Sequence, residues 1–373
     1  FRRLGALFCL LRFFISPRIL QFCVLWWKLL KNITSIMGIG KRKKLYNTVL
    51  CQTFSSCGNF LFAGNNFGDV FIYSILDITE TPSEEDVTKV APSLEPIQVY
   101  NVTDVGHVQS MVFYKDFLIV GIPGEIRGYQ WCEDSKKIKK KVWEIRIPNS
   151  YESIEAVDVN SLWLNEETDE VFLGCGDSRI LGINLEGGQI MKTYAEHKDY
   201  IHCLSGLENR LYSASEDGSV KFWDLRQKKS IGSVEPYKNH ELFRPQMGKW
   251  LGTVSCTENF FVCGGGPKAS LWHTRTNECT TIYPFPGAVH VSGFNEDSVL
   301  LAGQNSNVIR YSLNGDISAE IPISSPATYS VIWQTAPTKI MSIAGAQNEI
   351  DICLNFNYKD ILLKTYTNET PDV

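Results

Sequence analysis

The sequence lacks the cysteine and histidine spacing of a metal site. It contains 11 Cys and 6 His, yet no two cysteines form a Cys-x-x-Cys pair and the histidines do not cluster with them. Structural zinc sites are usually built from such pairs, so we predict no metal site, and no motif indicates a bound cofactor. An odd number of scattered cysteines is typical of a protein from a reducing compartment.

Long uninterrupted apolar runs are also missing. The first 36 residues are apolar, aromatic and basic, but Arg12, Arg18 and Lys28 divide them. The resulting pieces are shorter than the about 20 residues that a membrane-spanning helix needs. The charge order and cleavage site of a signal peptide are absent as well. We therefore predict that Met37 is the natural start and that residues 1–36 are not part of the native protein, with a membrane-associated leader as the alternative.

Basic residues are scarce beyond residue 44. Residues 1–44 hold ten Lys and Arg and no acidic residue, which leaves 26 basic and 41 acidic residues in the remainder, a net charge of −15. Nonspecific nucleic-acid binding needs a basic surface, so we expect any RNA contact to be weak or indirect. The cluster Lys41–Lys44 fits either a nuclear import signal or a solvated terminus.

The most informative segment that is present is Leu211–Arg226, which predicts two antiparallel strands. Asp217 and Gly218 are residue types that favour a tight turn between the strands. Apolar residues alternate on both sides of this turn, as in half-buried strands. The segment closes with the dipeptide Trp223-Asp224.

The same strand pair recurs along the chain at intervals of 39–57 residues. The paired positions are Ala63 and Tyr73, Val120 and Tyr129, Leu173 and Ile183, Ser213 and Trp223, Val262 and Trp272, Leu301 and Tyr311, and Ser342 and Ile352. Each turn between them contains Gly, Pro, Asn or Asp. Because one unit cannot bury its own faces, seven consecutive units predict a closed ring.

This arrangement resembles the WD40 blade, whose repeat is roughly 40–45 residues. We therefore predict an all-β, seven-bladed WD40 β-propeller over residues 45–366, after a leader of residues 1–44 and before a tail of residues 367–373. Residues 358–366 complete the last blade in this prediction. The strand near Val49–Phe54 begins the first blade, so the ring closes blade against blade.

Four residues of the fourth unit, His197, Ser213, Asp217 and Trp223, resemble the buried tetrad of a WD40 blade. The resemblance implies that the His bridges the Ser and the Asp, and that the Ser hydroxyl meets the indole N–H. We interpret the set as structural, because a catalytic Ser would have to be exposed, and we predict no catalytic residue. Other units carry a tyrosine near the Trp position: Tyr73, Tyr129 and Tyr311.

Two segments between the units are charged. Residues 76–98 are acidic and proline-rich and predict a solvated loop between the first two blades. Residues 136–141 are basic and predict a loop that leads into the third unit. This loop fits either contact with phosphate or an acidic partner, or a charge cluster at the tip of a hairpin.

A third insertion, residues 228–250, contains aromatic and Arg side chains, which are common at protein interfaces. We predict a partner surface formed by this insertion and by the mouth of the central channel beside Gly264–Pro267, with Tyr237, Arg244 and Trp250 as its candidate binding residues. The alternative is a long loop whose aromatic side chains pack onto the fifth blade.

Several motifs resemble the THO complex subunit 6 family. They are Cys57–Asn66, His197–Leu204, Glu235–His240, Arg244-Pro245, Gly248–Gly252, Val262–Pro267, Leu271–His273, Leu301–Gln304 and Ile317–Pro326. The resemblance implies a non-catalytic scaffold subunit of the THO/transcription–export complex, which supports messenger RNP assembly and mRNA export in the nucleus. It also implies contacts with the coiled-coil subunits 5 and 7 and assembly into a larger oligomer, without membrane contact.

Two other functions remain as alternatives. The segment Trp223-Asp224-Leu225-Arg226 resembles the Trp-Asp-x-Arg motif of substrate receptors of cullin-type ubiquitin ligases, in which Arg226 would meet the ligase adaptor. A pairing of Arg226 with a neighbouring acid is the structural interpretation of the same motif. An enzyme would need acids, His or a nucleophile that converge from several blades, and the sequence contains no such set.

Overall fold

Seven β-sheets form the described part of the chain in the computed structural model, which describes residues 39–79, 93–150 and 156–366. All seven belong to one compact unit of residues 46–365. Among the described residues, no helix is long and apolar enough to cross a membrane.

A second unit includes the short helix α1 (Ile39–Leu45), whose last turn is basic. The predicted start at Met37 and the predictions for residues 1–36 fall outside the described residues, as does the predicted tail at residues 367–373.

Each sheet is a blade whose first four strands are antiparallel. Blade 1 contains β1 (Val49–Phe54), β2 (Phe60–Asn65), β3 (Asp69–Ser74) and β5 (Gln98–Asn101). Blade 2 contains β6 (Ser110–Tyr114), β7 (Phe117–Ile122), β8 (Glu125–Cys132) and β9 (Lys137–Arg146). Blade 3 contains β10 (Val159–Asn165), β11 (Glu170–Cys175), β12 (Ile180–Asn184) and β13 (Gln189–Tyr194). Blade 4 contains β14 (Ile201–Leu207), β15 (Arg210–Ser215), β16 (Val220–Asp224) and β17 (Ser230–Val234).

The remaining three blades follow in the same order. Blade 5 contains β18 (Thr253–Cys256), β19 (Phe260–Gly264), β20 (Lys268–His273) and β21 (Cys279–Pro284). Blade 6 contains β22 (Val289–Asn295), β23 (Ser298–Gly303), β24 (Asn307–Ser312) and β25 (Ile317–Pro322). Blade 7 contains β26 (Thr328–Gln334), β27 (Ile340–Gly345), β28 (Glu349–Cys353) and β29 (Ile361–Lys364). The structure confirms the predicted all-β, seven-bladed propeller, and each predicted strand pair lies on the second and third strands of its blade.

Second strands are among the most deeply buried elements, because their side chains pack against neighbouring blades. All six residues of β2, of β11 and of β27 are buried. The ring of Phe62 on β2 lies 5.2 Å from that of Phe113 and 5.0 Å from that of Trp131, both in blade 2. Burial of one such side chain stabilises the fold by about 1.5–3 kcal/mol, and here the neighbouring blade provides the covering surface.

The closing seam joins blade 7 to blade 1 without exchange of a strand between the termini. All four antiparallel strands of blade 7 come from the C-terminal part of the chain, as the sequence predicts, and β1 is the first strand of blade 1. Hydrogen bonds cross the seam from Gln52 Nε2 to Ser342 Oγ (2.6 Å) and from Asn47 Nδ2 to Thr365 Oγ1 (2.9 Å).

The acidic insertion, predicted as a solvated loop between the first two blades, lies instead within blade 1, between its third strand β3 and its fourth strand β5. Residues 80–92, which carry most of its acidic side chains, lie outside the described residues. The described ends form helix α2 (Ile75–Thr79), the short strand β4 (Ser93–Leu94) and the start of β5. Strand β4 pairs in parallel with β29 and adds a fifth strand to blade 7. An outer strand exposes unpaired backbone N–H and C=O groups, and β4 covers some of those of blade 7.

The basic segment at residues 136–141 is also placed differently from the prediction. Most of it belongs to β9, the outer strand of blade 2, and not to a loop that leads into blade 3. Exposed Lys side chains on an outer strand disfavour edge-to-edge pairing with another chain, which gives this charge a structural explanation.

Two tyrosines at the Trp position connect neighbouring blades. The hydroxyl of Tyr73 on β3 donates to the carbonyl of Lys364 at 2.9 Å, in the fourth strand of blade 7. The hydroxyl of Tyr311 on β24 donates to the carbonyl of Pro284, at the outer strand of blade 5. In both cases the tyrosine joins its blade to the fourth strand of the preceding one.

Replacement of Tyr73 by Phe removes the bond across the closing seam and keeps the buried ring. We expect Tyr73→Phe to lower the free energy of unfolding by about 1 kcal/mol, the net contribution of one hydrogen bond. Equilibrium unfolding in urea measures this change. The control is Tyr358→Phe, because Tyr358 is exposed. Equal effects of the two substitutions would contradict the seam function of Tyr73.

Candidate partner-binding site

The predicted tetrad residues lie within hydrogen-bonding distance of one another. His197 Nδ1 is 2.8 Å from Asp217 Oδ2, and its Nε2 is 2.7 Å from Ser213 Oγ. Trp223 Nε1 donates to the same Ser213 Oγ at 2.8 Å. Burial raises the pKa of Asp217, but hydrogen bonds from His197 and Ser219 outweigh burial and hold that pKa well below its usual range. The Asp is therefore a carboxylate that fixes the imidazole.

The exposure of Ser213 decides between a structural and a nucleophilic arrangement. Ser213 and Trp223 are both 0% exposed, so no substrate can approach the hydroxyl in this conformation. In the described ranges, no group of three or more His, Cys, Asp or Glu is placed to hold a metal ion.

The other candidate residues lie on two opposite faces of the ring. Antiparallel strands place the turns between second and third strands, and the connections between blades, on one face, which we call the connection face. The turns between first and second strands and between third and fourth strands lie on the other, the hairpin face. The connection at residues 235–252 and the turn Gly264–Pro267 lie on the connection face, whereas Arg226 follows β16 on the hairpin face. The structure does not bring Arg226 together with the other candidates.

The insertion is shorter than the sequence predicts. Residues Ser230–Val234 form β17, so the connection proper spans residues 235–252 and begins with a 3₁₀ helix at Pro236–Lys238. Leu242 and Leu251 are buried and pack in the apolar cluster between blades 4 and 5. The connection is therefore anchored to the propeller at two points.

Arg244 attaches the connection to blade 5. Its Nη2 donates to the carbonyl of Trp250, and its guanidinium lies 5.2 Å from the centre of the Trp250 ring. A Cβ atom on Gly266 would lie only 2.3 Å from Arg244 Nη1, so the side chain occupies space that only a glycine leaves open. Nη1 is buried without a hydrogen-bond acceptor, and burial lowers the pKa of Arg244 to about 10.

Trp250 also contacts a residue of blade 6, which in turn contacts a residue of blade 7. The ring of Trp250 stacks on that of His290 with a centroid distance of 6.4 Å and an interplanar angle of 23°, and His290 lies 5.2 Å from the ring of Tyr329. Burial lowers the pKa of His290 to about 4, so this imidazole is neutral near pH 7. The two side chains with the strongest interface preference, Arg244 and Trp250, thus interact mainly within the propeller.

Tyr237 is the third residue predicted from the insertion. Its hydroxyl donates to Glu235 Oε1 at 2.7 Å, and Lys249 Nζ lies 5.1 Å from the centre of its ring. It lines a pocket of about 120 Å³ between the connection and blade 5, together with Leu242, Leu251 and Lys268.

The most exposed large apolar side chains of the connection are not among the predicted partner residues. Phe243 is 62% exposed and Met247 is 44% exposed, on either side of the Arg244 contact. Residue type alone cannot tell which of the adjacent apolar residues Leu242 and Phe243 faces outwards.

Arg226 forms a two-point contact with an acid two residues before it. Its Nε donates to Asp224 Oδ1 at 2.8 Å and its Nη2 donates to Oδ2 at 2.7 Å. The side chain is nevertheless 73% exposed. This geometry matches the structural interpretation of the Trp-Asp-x-Arg motif, a pairing with a neighbouring acid.

Comparison with known proteins places the chain in a family. The model of the WD domain, G-beta repeat, matches residues 188–224, which cover most of blade 4. The chain is 40% identical over 328 residues to THO complex subunit 6 of Drosophila melanogaster, which covers 87% of this chain and 91% of the relative. It is 34% identical over 323 residues to THO complex subunit 6 of Homo sapiens, with coverages of 85% and 92%. The chain belongs to the THO complex subunit 6 family.

Membership of the THO complex subunit 6 family confirms the resemblance seen in the sequence motifs. The fold is also similar to that of the WD40 propeller domain of Doa1, with a TM-score of 0.60, 14% identity, and coverage of 83% of this chain and 96% of that chain. At this identity the second similarity concerns the fold alone.

We predict that the tetrad contributes to the stability of the propeller. Ser213→Ala leaves the buried Trp223 N–H and His197 Nε2 without their partner, so we expect a loss of about 2 kcal/mol in the free energy of unfolding. Urea titration monitored by tryptophan fluorescence measures it. Ser233→Ala, at an exposed position on β17 of the same blade, is the control and should change stability by less than about 0.5 kcal/mol. A Ser213→Ala variant as stable as this control would refute the structural function of the tetrad.

Proposed function

We propose that the chain is a non-catalytic scaffold subunit of the THO/transcription–export complex that supports messenger RNP assembly and mRNA export in the nucleus. The observation that supports this most strongly is the 40% identity with THO complex subunit 6 of Drosophila melanogaster over 87% of the chain. The burial of Ser213 inside blade 4 agrees with a function that depends on contacts and not on catalysis.

The proposed partners are other THO subunits, in particular the coiled-coil subunits 5 and 7, within a larger oligomer. The connection face is the proposed contact region, because it presents exposed apolar side chains at Phe243 and Met247 on a connection that the buried Leu242 and Leu251 anchor. Direct RNA binding is at most a minor part of this function, since the chain beyond residue 44 carries a net charge of −15.

The alternative of a ubiquitin-ligase substrate receptor has less support. Two donors of Arg226 are already bound by Asp224, and the motif lies on the hairpin face, away from the exposed apolar residues. A receptor of this kind would have to use the remaining donors of Arg226 or break the contact with Asp224.

An affinity purification of the tagged full chain from nuclease-treated nuclear extract, analysed by mass spectrometry, tests the proposal. We expect the coiled-coil THO subunits among the most abundant partners, because the contact is between proteins and does not need RNA. The matched variant Arg226→Ala should capture the same set. Capture of a cullin adaptor in place of THO subunits, lost on Arg226→Ala, would overturn the proposal in favour of the ligase receptor.

A further inference from the structure

We propose that Phe243, Met247, Lys249 and Lys268, here called the apolar–basic surface, bind a partner segment that carries an acidic side chain beside an apolar one. The inference rests on the proposed function, since it specifies the chemistry of the THO segment that would dock on the connection face. The acidic side chain would lie near the two lysines at the pocket, and the apolar one would cover Phe243 and Met247.

The first observation is the exposure of two large apolar side chains on a fixed support. Phe243 and Met247 expose 62% and 44% of their surface, although the connection that carries them is anchored by the buried Leu242 and Leu251. Aromatic and Met side chains are enriched at protein interfaces. Because the buried leucines anchor the backbone of the connection, less backbone entropy is lost when a partner binds there.

The second observation is a pocket that Phe243 itself lines. Met247 does not line it, but its backbone N–H donates to the carbonyl of the lining residue Arg244 at 3.0 Å. The pocket has a volume of about 120 Å³ and is lined by apolar atoms of Leu242, Leu251 and Pro267 and by the side chains of Lys249 and Lys268. This volume accommodates one side chain of a partner and not a free cofactor. An apolar pocket with a few cationic groups favours a short side chain with a carboxylate end.

The third observation is unbalanced local charge. Arg244, Lys249 and Lys268 all line the pocket, and none of them forms an ion pair with a carboxylate of the described residues. Lys268 Nζ donates instead to the carbonyl of Glu241 at 2.7 Å. The one acidic residue of the pocket is Glu241, so the lining keeps an excess of positive charge in a propeller that is otherwise acidic.

This combination favours an acidic protein segment over RNA. Nucleic-acid binding relies on many phosphate contacts along a basic track, whereas this surface has two exposed lysines next to two exposed apolar side chains. A partner segment with an acidic side chain beside an apolar one would place its carboxylate at the lysines of the pocket and its apolar side chain on the neighbouring apolar residues. One side of an amphipathic helix offers this arrangement.

The test uses the tagged full chain and purified coiled-coil THO subunits in a quantitative pull-down, with and without nuclease. We expect Phe243→Ser and the double change Lys249→Glu with Lys268→Glu each to reduce the captured subunits about tenfold, as substitutions at interface hot spots do. Raising the salt concentration from about 0.1 to 0.3 M should weaken the wild-type contact, because screening lowers the attraction between exposed charges.

The matched controls change the same residue types elsewhere. Ile231→Ser alters an exposed apolar residue on β17, and Lys137→Glu with Lys140→Glu reverses two exposed lysines on β9. Both controls should capture the subunits as the wild type does. Circular dichroism and urea midpoints equal to those of the wild type show that each variant is folded.

The outcomes separate this inference from the proposed function. Wild-type levels of capture by both test variants would overturn the apolar–basic surface and leave the scaffold proposal standing. If the test variants capture less of the subunits than the wild type only when nuclease is omitted, the inference would also be overturned, since RNA would then bridge the two proteins. Failure of the wild type to capture any THO subunit would overturn both.

Discussion

The structure depends on one constraint: a single four-stranded blade has two apolar faces and cannot cover either of them. Each second strand is buried because neighbouring blades supply the covering side chains, as Phe113 and Trp131 do for Phe62. A row of blades would leave its two end faces exposed, so the ring has to close. The closing seam between blades 7 and 1 is joined by side-chain hydrogen bonds from Gln52 and Tyr73.

The features that the sequence predicts well are formed by residues close together in the chain. The seven strand pairs and their turns are of this kind, so alternation and turn-forming residues identify them. The turn of blade 4 shows the mechanism: Gly218 adopts a φ of +85°, while Asp217 Oδ1 accepts a hydrogen bond from the backbone N–H of Ser219 at 2.9 Å. Strand β4 could not be predicted, because its partner β29 lies more than 250 residues away in the sequence and the segment resembles an acidic loop.

The proposed partner surface could likewise be predicted only in part from the sequence. Residue type directs attention to Arg244 and Trp250, yet the structure uses both to fix the connection: Arg244 lies against Gly266, and Trp250 stacks on His290. These contacts form between blades 4, 5 and 6 and have no local signal. Once they hold the connection in place, Phe243 and Met247 become available to a partner. The closed ring thus determines both the stability of the propeller and the part of the connection that faces outwards.

Hydrogen–deuterium exchange of the full chain, free and bound to the coiled-coil THO subunits, tests most directly whether the propeller uses its connection face to hold a partner. We predict slower exchange on binding for residues 239–249 and no change for residues 225–229 at the turn between β16 and β17. Protection of residues 225–229, with unchanged exchange in residues 239–249, would contradict this prediction and assign the contact to the hairpin face.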